Sequence, residues 1–291
     1  MASLARLLTN PAQPRRGLSL SKILLYGLCV IAGFVIGFPL YIMVSEAFMT
    51  DSEITRWPPI LLTSSPTLVN FQHMLNQEDV MMPRWFLNSL IVSTSVTIVV
   101  LIITSMAAFA FARLRFPGRN LLFFFMLATI VIPIHVTLIP NYLLLRDLHF
   151  TDSYNGLIWP IVANVLGVFL LRQFFMSIPR ELEEAAILDG ASYWGVYWRI
   201  IMPLSGAALT ALGIFVFLST YNDLFWPLIV TTRIDMRTLP VGLSTLQSSY
   251  GSQRALIMAA ATFATVPILG IFIVFQRRII KGITMTGMGG R

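Results

Sequence analysis

The chain has 291 residues, 56% of them hydrophobic and 11% charged, with a net charge of +7. A soluble domain carries charge on about a quarter of its residues, so this composition excludes an ordinary soluble globular protein. The excess of cations raises the question of a nucleic-acid partner, which the placement of the cations answers below.

A helix needs roughly 20 apolar residues to cross a bilayer. Six runs approach that length, at about 23–44, 86–112, 121–145, 155–172, 206–230 and 256–276. Backbone polar groups in lipid must be satisfied within their own segment, so runs of this kind are helices. The expectation is an all-α, polytopic membrane protein of six transmembrane helices.

The first run follows Arg15, Arg16 and Lys22 and stays uncharged for 22 residues, Ile23–Val44. A cleaved signal has an apolar region of only ~7–15 residues and a small-residue cleavage site. "SEAFMTDSE" follows instead, so the helix is expected to be retained. Its Cys29 reads as a buried small hydrophobe, and Gly33 and Gly37 form a small-xxx-small pattern that permits close helix contact. The third run places His135 between Pro133 and Pro140, where a kink is expected. That histidine either lines a cavity or bonds to a neighbouring helix. His73 and His149 fall in connections.

Between the fourth and fifth runs lies a connection of about 173–205. "SIPRELEEAAILDG" carries helix grammar: Pro179 for the first turn, Glu181, Glu183 and Glu184 at the positive end, Gly190 for a left-handed stop. Leu182, Ala185, Ala186 and Asp189 share one face at helical spacing. Ser192 is placed to cap a second short helix, "YWGVYWRII", which Pro203 is expected to end. A lipid-surface helix fits poorly here, because 181–189 hold four acids and no base while the cytoplasmic leaflet is anionic. A groove on another protein suits it better.

The fifth run ends in Asn222, Asp223, Trp226 and Pro227. Asn222 and Trp226 are four apart, so one helix would present a hydrogen-bonding group beside an aromatic ring. Ionisable residues at membrane depth are functional candidates; a polar clamp between helices is the structural alternative. The polar connection 231–254 contains Gly242, Ser248, Ser249, Tyr250 and Gly251 and reads as a loop.

Six spans beginning inside put 14 of the 20 Lys and Arg residues on the cytoplasmic side, and Arg56, Arg84, Arg146, Arg233, Arg237 and Arg254 on the other. This matches the positive-inside rule with both termini cytoplasmic. Topology therefore accounts for the net charge, with no nucleic acid as partner. One cysteine makes no internal disulfide or zinc site. The sequence holds no Walker A, H-E-x-x-H or G-x-S-x-G pattern, so no catalytic or metal-binding residue is assigned.

The spacing Glu184, Ala185, Ala186, three residues, Gly190, nine residues, Ile200, Met202, Pro203 resembles the EAA loop of binding-protein-dependent ABC importer permeases. "FARLRFPGRN", "YNDLFWPLIV", "LPVGLSTLQSSYG" and "FQRRIIKGITMTGM" are similar to the carbohydrate branch, near the maltose-transporter permeases. The likeness covers roughly 86–287. It departs at Met202, usually leucine, and Tyr221, usually tryptophan. It implies the type I ABC importer permease fold, with residues 1–85 as a leading segment, 86–276 as the transport core and 277–291 as a cytoplasmic tail.

The resemblance further implies location in the cell inner (cytoplasmic) membrane, among lipid. The implied partners are a second homologous permease, a dimer of ABC ATPases and an extracytoplasmic solute-binding protein that delivers a sugar. ATP and Mg would be bound by the ATPase, leaving no cofactor in this chain. Glu184, Ala185, Ala186, Asp189, Gly190 and Ala191 would couple to that ATPase. Asn222, Asp223, Trp226 and Pro227 would line the translocation path, and Gly242, Ser248, Ser249, Tyr250 and Gly251 would contact the binding protein. The alternatives are a secondary transporter, a membrane enzyme, or a permease for a non-sugar solute such as a glycerol phosphate derivative. A secondary transporter usually shows internal repeats, and no repeat is evident. A membrane enzyme would need a catalytic constellation, and none is visible.

Overall fold

The computed structural model describes residues 20–77 and 80–287. The flanking Arg6, Arg15, Arg16 and Arg291 lie outside the described residues. Fifteen α-helices follow in order among those described: α1 (Leu20–Ala47), α2 (Asp51–Ile54), α3 (Val69–Asn76), α4 (Met82–Arg113), α5 (Arg119–Ala128), α6 (Ile134–Asp147), α7 (Tyr154–Ile158), α8 (Val165–Ser177), α9 (Glu181–Leu188), α10 (Tyr193–Val196), α11 (Met202–Leu204), α12 (Gly206–Tyr221), α13 (Phe225–Val230), α14 (Leu239–Ser249) and α15 (Arg254–Gly287). No strand occurs among them.

Helix α4 is the spine, packed against α8 and α12. It buries Val92, Val96, Val100, Ala108 and Phe109, together with small polar residues such as Ser93, Thr104 and Ser105. Small residues let helices approach where lipid offers no hydrophobic driving force between them. Two of these hydroxyls are satisfied within the helix, Ser93 Oγ donating to the Ser89 carbonyl and Ser105 Oγ to the Leu101 carbonyl, each at 2.6 Å, while Thr104 Oγ1 is buried with no hydrogen-bond partner among the described residues. Helix α1 stands apart and packs mainly on α15. Much of its surface, including Leu24, Val30, Phe34 and Ile36, is exposed. Cys29 is among the exposed residues, not buried as the sequence suggested, because only one side of α1 meets the bundle. Among the described residues, nothing beyond the local helix backbone lies within 4 Å of a Cβ built at Gly33 or Gly37.

Among the described residues two helices, Leu24–Ala47 and Met82–Arg113, are each long and apolar enough to cross a membrane, and up to five spans result if bent pairs are joined. The third run breaks at Pro133, which lacks the N–H that would continue the helix, and α6 resumes beyond it. His135 is exposed there, its ring 6.0 Å from that of Phe225 and edge-on to it. The fourth run bends by 50°, where Asn164 caps α8 by accepting from the Gly167 amide at 2.7 Å. The fifth breaks after Tyr221. The sixth continues to Gly287, eleven residues beyond the expected end.

At the α4 N-terminal end, Asn88 is fully buried and knits three elements. Its amide donates to the Asp235 and Arg237 carbonyls, each at 2.8 Å, while its oxygen accepts from Tyr154 Oη at 2.7 Å. Arg254 clasps Glu46 through two bonds of 2.9 and 3.0 Å, and Asp51 caps α15 by accepting from the Ala255 amide at 2.9 Å. These contacts close α1 against α15 at that end.

Candidate functional site

The connection from α8 to α12 forms an angular bracket at the opposite end of α4. Glu181, Glu183 and Glu184 occupy the first turn of α9, where they complement the positive end of the helix dipole. Pro179 lies just outside, since Arg180 is the cap. The helix ends in a Schellman arrangement: the Gly190 amide donates to Ile187 at 3.0 Å and the Ala191 amide to Ala186 at 2.9 Å. Gly190 has φ +86°, a backbone region that disfavours any Cβ.

Ser192 then caps α10, its hydroxyl accepting from the Gly195 amide at 3.2 Å. Pro203 does not end this second limb. A π-helical turn, Tyr197–Ile201, intervenes, with the Met202 amide bonded to the Tyr197 carbonyl. The wider turn accommodates the missing proline N–H, and the chain continues to Leu204 before turning 77° into α12.

Leu182 is 46% exposed and Leu188 88%, and Ala185 and Asp189 are exposed with them. Ala186 departs from the expected outward face. It packs against the core with Ala191, because it lies on the side of α9 shared with buried Glu183. A cleft of about 350 Å³ between the limbs is lined by Ala186, Asp189, Gly190, Ala191 and Arg199.

Sequence reasoning missed what holds this bracket. Arg113, the last residue of α4, places Nε 2.7 Å from Glu183 Oε1, and the two side chains are only 2% and 11% exposed. The same guanidinium donates to the carbonyls of Phe175 and, at 2.6 Å, Ile178, at the end of α8. One cation therefore joins α4, α8 and α9. Burial pushes the Glu183 carboxyl above its ordinary value, opposed by the charges of Arg113 and Arg180. A second link enters the core through Tyr197, whose hydroxyl lies 2.8 Å from Ser105 Oγ on α4. A buried charge inside a short acidic run was the only sequence signal, and its partner is 70 positions away.

The break after Tyr221 separates Asn222 from Trp226, so they do not share a helix face as expected. Asn222 is exposed and caps α12, its amide donating to the Leu218 carbonyl at 2.8 Å. Asp223 caps α13 by accepting from the Phe225 amide at 3.1 Å. Trp226 is buried and donates from Nε1 to the Gly156 carbonyl at 3.0 Å. Pro227 is buried beside it. Trp226 thus packs between α13 and α7.

The polar connection is not a loop over most of its length. Helix α14 buries Leu239, Val241, Gly242 and Leu246. A methyl group at Gly242 would stand 2.0 Å from Trp85 Cε3, so Gly242 faces inward against that ring. Ser248, Ser249 and Gly251 are exposed at the C-terminal end of α14, with Tyr250 half-buried.

Residues 101–285 match the family described as the binding-protein-dependent transport system inner membrane component. The chain belongs to this family. It is an inner-membrane permease component of such a transport system. It is 34% identical over 273 residues to the arabinooligosaccharides transport system permease protein AraQ of Halalkalibacterium halodurans, covering 93% of this chain and 97% of that one. It is 30% identical over 275 residues to the sn-glycerol-3-phosphate transport system permease protein UgpE of Yersinia enterocolitica, covering 92% and 97%. Among solved structures, a bacterial ABC transporter that imports the acidic polysaccharide alginate matches with TM-score 0.79 at 21% identity, covering 89% of this permease and 98% of that chain. That likeness shows the fold.

Proposed function

We propose that this permease carries a carbohydrate across the inner membrane as one half of an ATP-driven importer. The observation that carries the substrate class is the 34% identity to an arabinooligosaccharide permease over 93% of the chain. In this reading six spans enclose the path with both termini cytoplasmic, the bent pairs each counting as one crossing. A second, homologous permease completes the enclosure, a pair of ATPases binds ATP and Mg²⁺ beneath, and a solute-binding protein delivers the sugar from outside.

The α9–α11 bracket is the coupling element. Exposed Leu182, Ala185 and Leu188 offer an apolar face to the ATPase, while Glu184 and Asp189 rim it. The Gly190 bend fixes the angle between limbs, so motion of α9 passes through Arg113 to α4 and α8. At the far end, Ser248, Ser249, Tyr250 and Gly251 meet the binding protein, and exposed Asn222 with Asp223 lies toward the path.

A second substrate class, a glycerol phosphate derivative, is favoured by the likeness to UgpE. Proteoliposomes holding the full complex, given the cognate binding protein and ATP, decide between them. Uptake of a labelled oligosaccharide that stops without ATP is expected. Uptake of a glycerol phosphate with no sugar uptake overturns the carbohydrate reading, and uptake driven by an ion gradient alone overturns the importer.

A further inference from the structure

We propose that a basic cleft beside α5 binds the phosphate headgroup of an anionic phospholipid whose acyl chains lie along α5. The cleft holds about 830 Å³ and is lined by Arg115, Phe116, Gly118, Arg119, Asn120 and Arg180 among others, with no carboxylate in its lining. Three arginines therefore line one space: Arg115 from the α4–α5 connection, Arg119 from the start of α5 and Arg180 from the α8–α9 connection. Buried Glu183 pairs with Arg113 at 2.7 Å and also feels the Arg180 charge, but neither it nor Glu181 nor Glu184 lines the cleft.

Arg119 donates from one terminal nitrogen to the Leu114 carbonyl at 3.0 Å and from Nε to Asn120 Oδ1 at 3.4 Å, which fixes its side chain and leaves the other terminal nitrogen of the fork for a phosphate oxygen. Behind it, Arg172 lies over the Phe123 ring at 4.2 Å, close enough for its charge and that of Arg119 to repel. An anion in the cleft relieves that repulsion. Gly118 caps the 10-residue helix α5, whose first amides face the same end and add their partial positive charge.

What selects a lipid over a soluble anion is the surface next to the cleft. Leu121, Leu122, Phe124 and Phe125 are each 55–64% exposed, so an apolar strip begins where the basic lining stops. A headgroup in the cleft and chains on the strip satisfy both. The assignment needs only that this end of the bundle lies at a membrane surface. It holds for either orientation and for either substrate class.

The test titrates the purified full chain in mild detergent with dioleoylphosphatidylglycerol, reading retained lipid by native mass spectrometry. Dioleoylphosphatidylcholine and inorganic phosphate serve as comparison probes. A juxtamembrane guanidinium contributes roughly fivefold to anionic-lipid affinity, so Arg115→Gln with Arg119→Gln and Arg180→Gln should weaken binding on the order of a hundredfold. Arg115→Gln alone, at an exposed position that the fold does not need, should weaken it roughly fivefold. Arg233→Gln, near the other end of α4, should change nothing. Equal retention of the two lipids, or undiminished binding by both cleft variants, overturns the proposal. Inorganic phosphate binding as tightly as the lipid would make the cleft a free-anion site and overturn the lipid assignment.

Discussion

Removing either side of the Arg113–Glu183 pair should have unequal effects, and the inequality follows from the geometry. At 2.7 Å and an effective dielectric constant of ~20, the gross Coulomb attraction is about 6 kcal/mol. Burying each ion costs several kcal/mol, so the pair contributes little net. What matters is which groups a substitution strands. Glu183→Gln leaves Arg113 with its two carbonyl acceptors on α8 and a neutral amide opposite, costing about 1–2 kcal/mol. Arg113→Met strands a buried carboxylate and two helix-terminal carbonyls, costing about 3–5 kcal/mol. At about 2 °C per kcal/mol for a chain of this size, the melting midpoint of the purified complex should fall by about 2–4 °C and about 6–10 °C respectively. Arg113→Met with Glu183→Leu should melt above Arg113→Met alone, because the stranded charge is gone. ATP hydrolysis in the Glu183→Gln complex should become less dependent on the binding protein as α9 loosens from α4. Equal single effects that add in the double variant would refute the pairing argument.

Gly242→Ala should destabilise the chain by about 1–3 kcal/mol through overpacking against Trp85, and the cost should largely vanish in a Trp85→Ala background; the same cost in both backgrounds would contradict the contact. Asn222→Ala should alter transport affinity or sugar preference while assembly and stimulated ATP hydrolysis persist; lost yield with unchanged preference would reduce Asn222 to a helix cap. Burial raises the Asp152 carboxyl, but the Thr232 hydroxyl, the Arg233 and Thr232 amides and the Arg233 charge outweigh it and hold the carboxyl below its ordinary value. A depressed carboxyl contributes stability above its unfolded pKa and loses it as pH falls through the folded one, so the loss should come below about pH 4. Asp152→Asn, tolerated at the residue's φ of 52°, should flatten that part of the melting-midpoint curve; parallel curves for the two proteins would count against it.

The features legible in the sequence are those whose physics is local. Apolar runs announce helices because lipid leaves the backbone no other partner. Gly190 and Ser192 announce the bracket because a Schellman turn and a hydroxyl cap involve residues only a few positions apart. Even the break at Pro133 belongs to this class.

The tertiary structure decided everything that depends on which face of an apolar helix is covered. A helix apolar all round carries no stripe to say so, and so Cys29 proved exposed. Proline and asparagine near Tyr221 hid a break that turned Trp226 away from Asn222 and into the packing between α13 and α7. Gly242 read as a flexible loop position, yet its missing side chain makes room for Trp85, some 157 positions earlier. Arg113 read as a positive-inside marker until α8 and α9 folded around it. Each of these contacts joins distant segments, and no residue spacing along the chain encodes a partner that only packing brings near.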